Sequence, residues 1–260
     1  MAVELHTVLG LVLAALLAGW VDAVVGGGGL IQLPALLIGL PKDTAVATIS
    51  GTNKFSSAFG TATATATYLR KVSIQWRSAL PLMACAWLGS TLGAQLVKLL
   101  PRQAFTPIVL VVLIVVGTYT VRRPQLGLHQ ELRHDGRAHW LRLAMIGLVI
   151  GAYDGFIGPG TGTFFVIALV ALMGYGFLEA TALTKLANLT TNIAAITVLG
   201  LSGHILWGLG AAMAAANLTG GLLGARMAIR HGNAFVRKVF LVVVSLLAVK
   251  LAVDTFAMLT

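Results

Sequence analysis

The sequence is short of charged residues. Only 10% of its 260 residues are Asp, Glu, Lys or Arg, against about 25% in a typical soluble domain, and 58% are hydrophobic. The longest polar loop, at about 122–139, leaves no room for a soluble domain. Charge-free apolar runs at 78–97 and 103–121 reach the roughly 20 residues that a spanning helix needs. The composition therefore predicts an all-α polytopic membrane protein.

Several chemical signatures are also missing. Cys85 is the single cysteine, so an internal disulfide is excluded, and no His/Cys cluster has metal spacing. We therefore expect neither a metal nor a cofactor. The first residues lack a cationic region and a small-residue cleavage site, so 5–25 is expected to be a retained helix and not a signal peptide. Asp154 lacks the second, Gly-x-Gly-Asp aspartate of intramembrane proteases, and we expect the protein not to be an enzyme.

The basic residues are concentrated in three loops beside apolar segments. The formal charge is +10, but this distribution is the positive-inside pattern of membrane proteins and does not predict a nucleic-acid partner. One orientation places all three loops in the cytoplasm. The loop residues are Arg70, Lys71, Arg77, Arg122, Arg123, Arg133, Arg137, Arg142, Arg226, Arg230, Arg237 and Lys238.

A run of four glycines, Gly26 to Gly29, follows Asp22 inside an apolar stretch. Glycine is a poor helix former because it loses the most backbone entropy. One helix should therefore end near Val25 and another begin near Leu30. In lipid such a break is tolerated only where the free backbone groups face protein or a watery cavity.

The second half of the chain repeats the first. Asp22 recurs as Asp154 at an offset of 132, and Lys54 recurs as Lys185 at an offset of 131. We predict a first transmembrane repeat at 1–121, a basic cytoplasmic linker at 122–139 and a second repeat at 140–260. The apolar segments fall near 5–25, 30–40, 44–69, 76–100, 103–121, 140–157, 162–174, 180–201, 207–230 and 235–256.

The loop charges predict that the two repeats have inverted topology, with both termini on the non-cytoplasmic side. Segments 30–40 and 162–174 look too short to span. The expected fold therefore has about eight transmembrane helices plus glycine-broken, re-entrant half-helices, and a count of eight or ten segments stays open. Inverted repeats with interrupted helices bind substrate near mid-membrane, at the repeat interface.

Four buried charges are the main functional candidates. An ionised lysine at the bilayer centre costs about 2.5–3.5 kcal/mol even on the lenient scale, so Lys54 and Lys185 should be paired or solvated. Asp22 and Asp154 can pair with them within each repeat or across the repeats, as structural salt bridges. Alternatively, the lysines and the helix N-termini after the glycines form an anion cavity. The two interpretations are compatible, and the aspartates are also candidates for proton coupling.

The predicted anion site combines the two lysines with neighbouring donors. Hydroxyl and amide groups on the same segments can add hydrogen bonds, and the glycines offer backbone N–H groups. The predicted set is Lys54, Lys185, Asn53, Thr52, Thr184, Asn188, Gln32, Gly27, Gly28, Gly29, Gly160, Thr161 and Gly162.

Stretches in both repeats carry a family resemblance. Residues 18–29, 51–54, 151–162, 184–188 and 224–227 resemble the sulfite exporter TauE/SafE family, also called TSUP, and most closely its YfcA-like members. The resemblance implies a permease of the bacterial inner membrane that moves sulfite or sulfonated organic anions, often outward. Pro159 and Thr161 replace two glycines of the first repeat, so the half-sites are not equivalent.

These observations favour a secondary transporter, expected to be an exporter, of small sulfur-containing anions. Two alternatives remain: a passive anion channel of the same architecture, and a membrane scaffold that transports nothing. The expected partners are the anion and the lipid bilayer, with proton coupling and a homo-oligomer as further options.

Overall fold

The protein is all-helical in the part that its computed structural model describes: residues 4–101, 136–259, and the isolated positions Gln103, Val111 and Leu132. The predicted segment 103–121 and most of the predicted linker lie outside that part. Side chains near the C-terminus are described as far as Val236 and at Lys238, Val239 and Val242. The helices are α1 Leu5–Val25, α2 Gly29–Gly39, α3 Val46–Leu69, α4 Trp76–Leu96, α5 Gly136–Phe156, α6 Thr161–Ala171, α7 Phe177–Leu201 and α8 Trp207–Leu259, with a 3₁₀ turn Val97–Leu99 after α4.

Both predicted helix breaks are present. The first helix ends at Val25, where Gly26 adopts the left-handed conformation with φ 80° and caps the helix by donating its N–H to Asp22 O over 2.8 Å. In the second half, Gly158 and Gly160 have φ 90° and 78° in the connection between α5 and α6. Only glycine adopts this conformation without strain, so the glycines set where each helix stops.

Four described helices are long and apolar enough to cross a membrane. They are Leu5–Val25, Trp76–Leu99, Phe177–Leu201 and Trp207–Val236. Helices α2 and α6 have 11 residues each, which gives about 16 Å at 1.5 Å per residue, roughly half of the hydrocarbon core. The described helices, without a strand among them, confirm the predicted all-α polytopic membrane fold.

Some boundaries differ from the prediction. The segment predicted to start at 140 begins at Gly136, and the one predicted at 180 begins at Phe177. The two predicted final segments, 207–230 and 235–256, correspond to the two parts of α8, which meet at a kink at Gly232 with φ 68° and ψ −163°. The change of direction is confined to Gly232, because the backbone before and after this glycine is helical.

Two parallel helix pairs connect the halves. On α4, Leu82, Ala86 and Ser90 meet Gly147, Gly151 and Gly155 of α5 in that order. Helix α1 meets α8 in the same way, since Gly220 lies against Leu16 and Gly224 against Trp20. The predicted inverted topology requires both pairs to be parallel, because α4 and α5 would each begin in the cytoplasm. The observed packing is compatible with the inverted topology, which stays a prediction.

The outside of the helix bundle is apolar and the centre is polar. Leu5, Leu9, Leu13 and Leu17 lie one helical turn apart on α1, and each is more than half exposed. Such a stripe on the outer face of a bundle is the surface that lipid chains cover. Buried lysine, aspartate, asparagine and threonine side chains lie inside instead, and they surround the two helix breaks.

Candidate functional site

The two glycine breaks contact each other at the centre of the molecule. Gly26 lies against the backbone of Gly162, so a Cβ atom on either residue would overlap the other. The N–H of Thr163 donates to Gly26 O over 3.0 Å, and Gly29 lies beside Pro159. The starts of α2 and α6 thus come together. Residues at a helix start have N–H groups without intrahelical partners, and the helix dipole makes this region attractive to anions.

The buried charges pair across the repeats. Lys54 Nζ lies 2.5 Å from Asp154 Oδ2, and Lys185 Nζ lies 2.9 Å from Asp22 Oδ2. Lys185 also donates to the backbone carbonyl of Asp22. Of the two pairings left open by the sequence, the structure contains the crossed one. Lys54 of α3 pairs with Asp154 of α5, and Lys185 of α7 pairs with Asp22 of α1. Each ion pair therefore joins one half of the chain to the other.

The two lysines differ in their surroundings. The side chain of Lys185 is 0% exposed and donates to two oxygens of Asp22. Lys54 instead lines a central cavity, together with its partner Asp154. The cavity measures about 30 Å³, enough for one or two water molecules. Only Lys54 therefore presents its charge to this space.

Nine of the predicted residues, including both aspartates, line this cavity. They are Asp22, Gly29, Asn53, Lys54, Asp154, Gly160, Thr161, Gly162 and Asn188. The other six, Gly27, Gly28, Gln32, Thr52, Thr184 and Lys185, do not line it. Of the predicted residues, the cavity thus brings together those at the helix starts, one lysine, two aspartates and two asparagines.

Two of the remaining residues make contacts elsewhere. Thr52 donates to Thr48 O over 2.8 Å and accepts from the N–H of Leu206 over 3.0 Å, which ties α3 to the α7–α8 connection. Gln32 donates to Asn53 O over 3.3 Å and accepts from Asn217 Nδ2 over 2.6 Å. Both side chains are fully buried. These bonds hold helices together around the cavity without facing it.

The cavity wall also contains residues that the sequence prediction left out. Ser57 and Thr61 on α3, and Asn192 on α7, line it along with Gly26 and Gly158. A signal was available, because polar side chains follow each lysine at i+3 and i+7, which lie on one helix face. Lys54, Ser57 and Thr61 repeat this spacing in Lys185, Asn188 and Asn192.

The wall offers both donors and acceptors. The side-chain Oδ1 atoms of Asn53 and Asn188 are buried without a hydrogen-bond partner among the described residues. A terminal amide presents an acceptor on one side and two donors on the other, and a half-turn exchanges them. Lys54 adds one positive charge, and the carboxylates of Asp22 and Asp154 also line the cavity. The wall therefore combines amide groups with one ammonium group and two carboxylates.

Buried ion pairs beside two interrupted helices, inside an apolar exterior, are the arrangement typical of a multi-pass membrane transporter. The chain belongs to the sulfite exporter TauE/SafE family, whose model matches residues 11–251. The resemblance found in the sequence is thereby confirmed.

Curated relatives cover nearly the whole chain. One named "Probable membrane transporter protein ORF9", from Sinorhizobium sp, is 35% identical over 96% of this chain and 94% of its own length. A "Probable membrane transporter protein" from Haemophilus influenzae is 33% identical over 91% of both chains. "Probable membrane transporter protein YfcA" from Escherichia coli K12 is 32% identical over 93% of this chain and 88% of its own. No solved structure matches the chain.

Proposed function

We propose that this protein is a secondary transporter of small sulfur-containing anions, such as sulfite or an organosulfonate. It exports them across the bacterial cytoplasmic membrane. Membership in the sulfite exporter TauE/SafE family supports the anion class. The observation that carries the proposal is the Lys54–Asp154 pair, which lines a cavity where two helix starts meet.

The chemistry of the cavity suits an oxyanion. A sulfonate or sulfite group has several acceptor oxygens, which match an ammonium group and the backbone N–H groups at the start of a helix. Lys54 supplies the ammonium group, and Gly29 and Thr161 begin the two helices that line the cavity. In this proposal the asparagine amides turn to donate the remaining hydrogen bonds.

Charge balance gives the proposal a coupling mechanism. Two lysines and two aspartates leave the ion-paired centre with no formal net charge. An arriving anion adds an uncompensated negative charge, and unpaired buried charge is costly. Protonation of Asp154 removes one negative charge and frees Lys54 for the anion. In this proposal the anion and the proton cross together, so net export requires an outward gradient of the anion that exceeds the inward gradient of protons.

In the proposed cycle, substrate enters by a step that enlarges the cavity. A space of about 30 Å³ is far below the 300–1,000 Å³ of typical ligand pockets, and a four-atom oxyanion needs more room than one or two waters. Separation of Lys54 from Asp154 enlarges this space and at the same time frees the Lys54 ammonium group to bind the anion. This conformation is therefore the closed one in the proposed cycle.

Transport into proteoliposomes tests the function. With an imposed proton gradient, labelled sulfite, thiosulfate and sulfoacetate should accumulate above equilibrium, and carboxylates of similar size should not. Downhill flux that never exceeds equilibrium would indicate the anion channel. No flux, together with no anion-dependent rise in the apparent Tm of the purified protein, would indicate the scaffold and overturn the proposal.

A further inference from the structure

A second cationic region lies at the ends of α3 and α8, away from the central cavity. Two cavities of about 300 Å³ each share Arg70 and Lys71 as wall residues. One follows the α3–α4 connection to Trp76. The other lies between α3 and α8, where Arg226 and Arg230 complete a wall of four cationic side chains. We call this cavity between α3 and α8 the cationic groove. It is part of the face predicted to be cytoplasmic.

The four cations have no counter-charge among the described residues. The salt bridges in the described part of the chain join His6 to Glu4, Lys54 to Asp154 and Lys185 to Asp22, and none involves these four residues. Like charges that share one cavity repel each other, and the repulsion is strongest where salt screens it least. An anion that enters the groove offsets this repulsion, so the groove favours a negatively charged ligand.

Part of the groove is apolar. Leu222 and Ile229 line it beside the arginines of α8, and Leu69 and the half-exposed Trp76 line the adjoining cavity. Tryptophan side chains at helix ends are typical of the level of lipid headgroups. A ligand with an anionic head and a hydrocarbon body complements both parts of the wall.

The packing of the duplicated halves does not by itself create the groove. The positions equivalent to Arg70 and Lys71, at an offset of 131, are Leu201 and Ser202. Those equivalent to Arg226 and Arg230 are Gln95 and Leu99. The corresponding positions at the other end of the bundle are thus uncharged. The four charges belong to one face of the membrane only.

We propose that the groove binds the phosphate headgroup of an anionic phospholipid, with the acyl chains against Leu222 and Ile229. Basic pockets between helices at the cytoplasmic surface recognise such headgroups, and each lysine or arginine near a membrane surface strengthens the attraction about fivefold. The site is separate from the anion cavity and does not rest on the proposed transport.

Binding is measured by native mass spectrometry and thermal shift on the full chain in neutral detergent. The probes are palmitoyl-oleoyl phosphatidylglycerol, the matching phosphatidylcholine and inorganic phosphate. We expect phosphatidylglycerol alone to bind and to raise the apparent Tm. The double variant Arg226→Gln/Arg230→Gln should bind it about 25-fold more weakly, at about fivefold per charge.

The matched control removes the same number of charges from the opposite ends of α3 and α4. Lys42→Gln/Lys98→Gln should bind phosphatidylglycerol as the unmodified chain does. Equal loss in this control, or equal binding of phosphatidylcholine, would overturn the proposal. Full stabilisation by millimolar inorganic phosphate would assign the groove to free phosphate instead. If the arginine variant does not fold, Arg70→Gln/Lys71→Gln tests the same groove and should show the same loss.

Discussion

Asn192 donates a hydrogen bond from Nδ2 to Oγ1 of Thr61 over 3.4 Å, although the two residues occupy the same position in their respective halves, 131 residues apart. In a two-fold arrangement, only residues beside the axis contact their own counterparts. Both side chains also line the central cavity. If the two halves are related as the sequence predicts, the axis between them passes through the candidate site.

The two lysines are expected to respond differently to truncation. Lys54→Ala should abolish anion-dependent stabilisation and transport, because it removes the charge that faces the cavity. Lys185→Ala should lower the free energy of unfolding by about 3–5 kcal/mol, as the loss of one partner of a buried pair does, and retain an anion response. Thermal shift with and without sulfite measures both effects. A Lys54→Ala protein that folds and transports at the unmodified rate would contradict the assignment.

Charge exchange tests the crossed pairing. Lys54→Asp combined with Asp154→Lys rebuilds an ion pair across the repeats, so the double variant should be more stable than either single one. A coupling free energy of about 0.5–3 kcal/mol is expected for contacting residues, from apparent Tm or denaturant midpoints. The matched control, Lys54→Asp with Asp22→Lys, should show no rescue because Asp22 pairs with Lys185. Rescue in the control and not in the crossed exchange would disprove the pairing.

The meeting of the glycine breaks should not tolerate a methyl group. Gly26→Ala places a side chain at φ 80° and against the backbone of Gly162, and a left-handed non-glycine residue alone costs about 1–3 kcal/mol. Gly162→Ala should destabilise through the same overlap. The control is Gly10→Ala on α1, where a Cβ meets no atom within 4 Å, so the apparent Tm should not fall. Unchanged stability in Gly26→Ala would argue against the close approach.

Side-specific labelling tests the predicted orientation. Helix α3 has 24 residues, about 36 Å at 1.5 Å per residue, and the predicted topology places the exposed residues that flank it on opposite sides of the membrane. In a Cys85→Ser background, Lys42→Cys should react with an impermeant thiol reagent in intact cells. Lys71→Cys should react only after permeabilisation, because its loop carries the cationic excess. The opposite labelling pattern would reverse the orientation.

Local backbone features were predictable from the sequence, and long-range pairings were not. The ends of α1 and the start of α2 followed from the entropy cost of consecutive glycines, an effect that acts within a few residues. The choice between pairing Lys54 with Asp22 or with Asp154 depends on how two separate halves dock, which spacing along one chain does not determine. The polar face that continues from Lys54 through Ser57 to Thr61 was readable from helical periodicity.

Other contacts could be found only in three dimensions. Asn217 follows an apolar stretch at the start of α8, and its role depends on Gln32, which is 185 residues away. The complete burial of the Lys185 side chain also depends on a long-range contact. The sequence does not reveal it, because the polar residues that follow Lys185 have the same spacing as those that follow Lys54. What separates the two lysines is the carbonyl and carboxylate of Asp22 around Lys185.

The crossed ion pairs impose an order on biogenesis. As the ribosome produces the chain, Asp22 and Lys54 enter the bilayer before the residues that finally neutralise them have been synthesised. The nascent half must keep these groups near water, near each other or in the translocation machinery until Asp154 and Lys185 follow. A truncated product that ends after α4 would place Asp22 and Lys54 in the bilayer without Lys185 and Asp154, their partners in the full chain. Such a product would be a natural target for quality-control proteases.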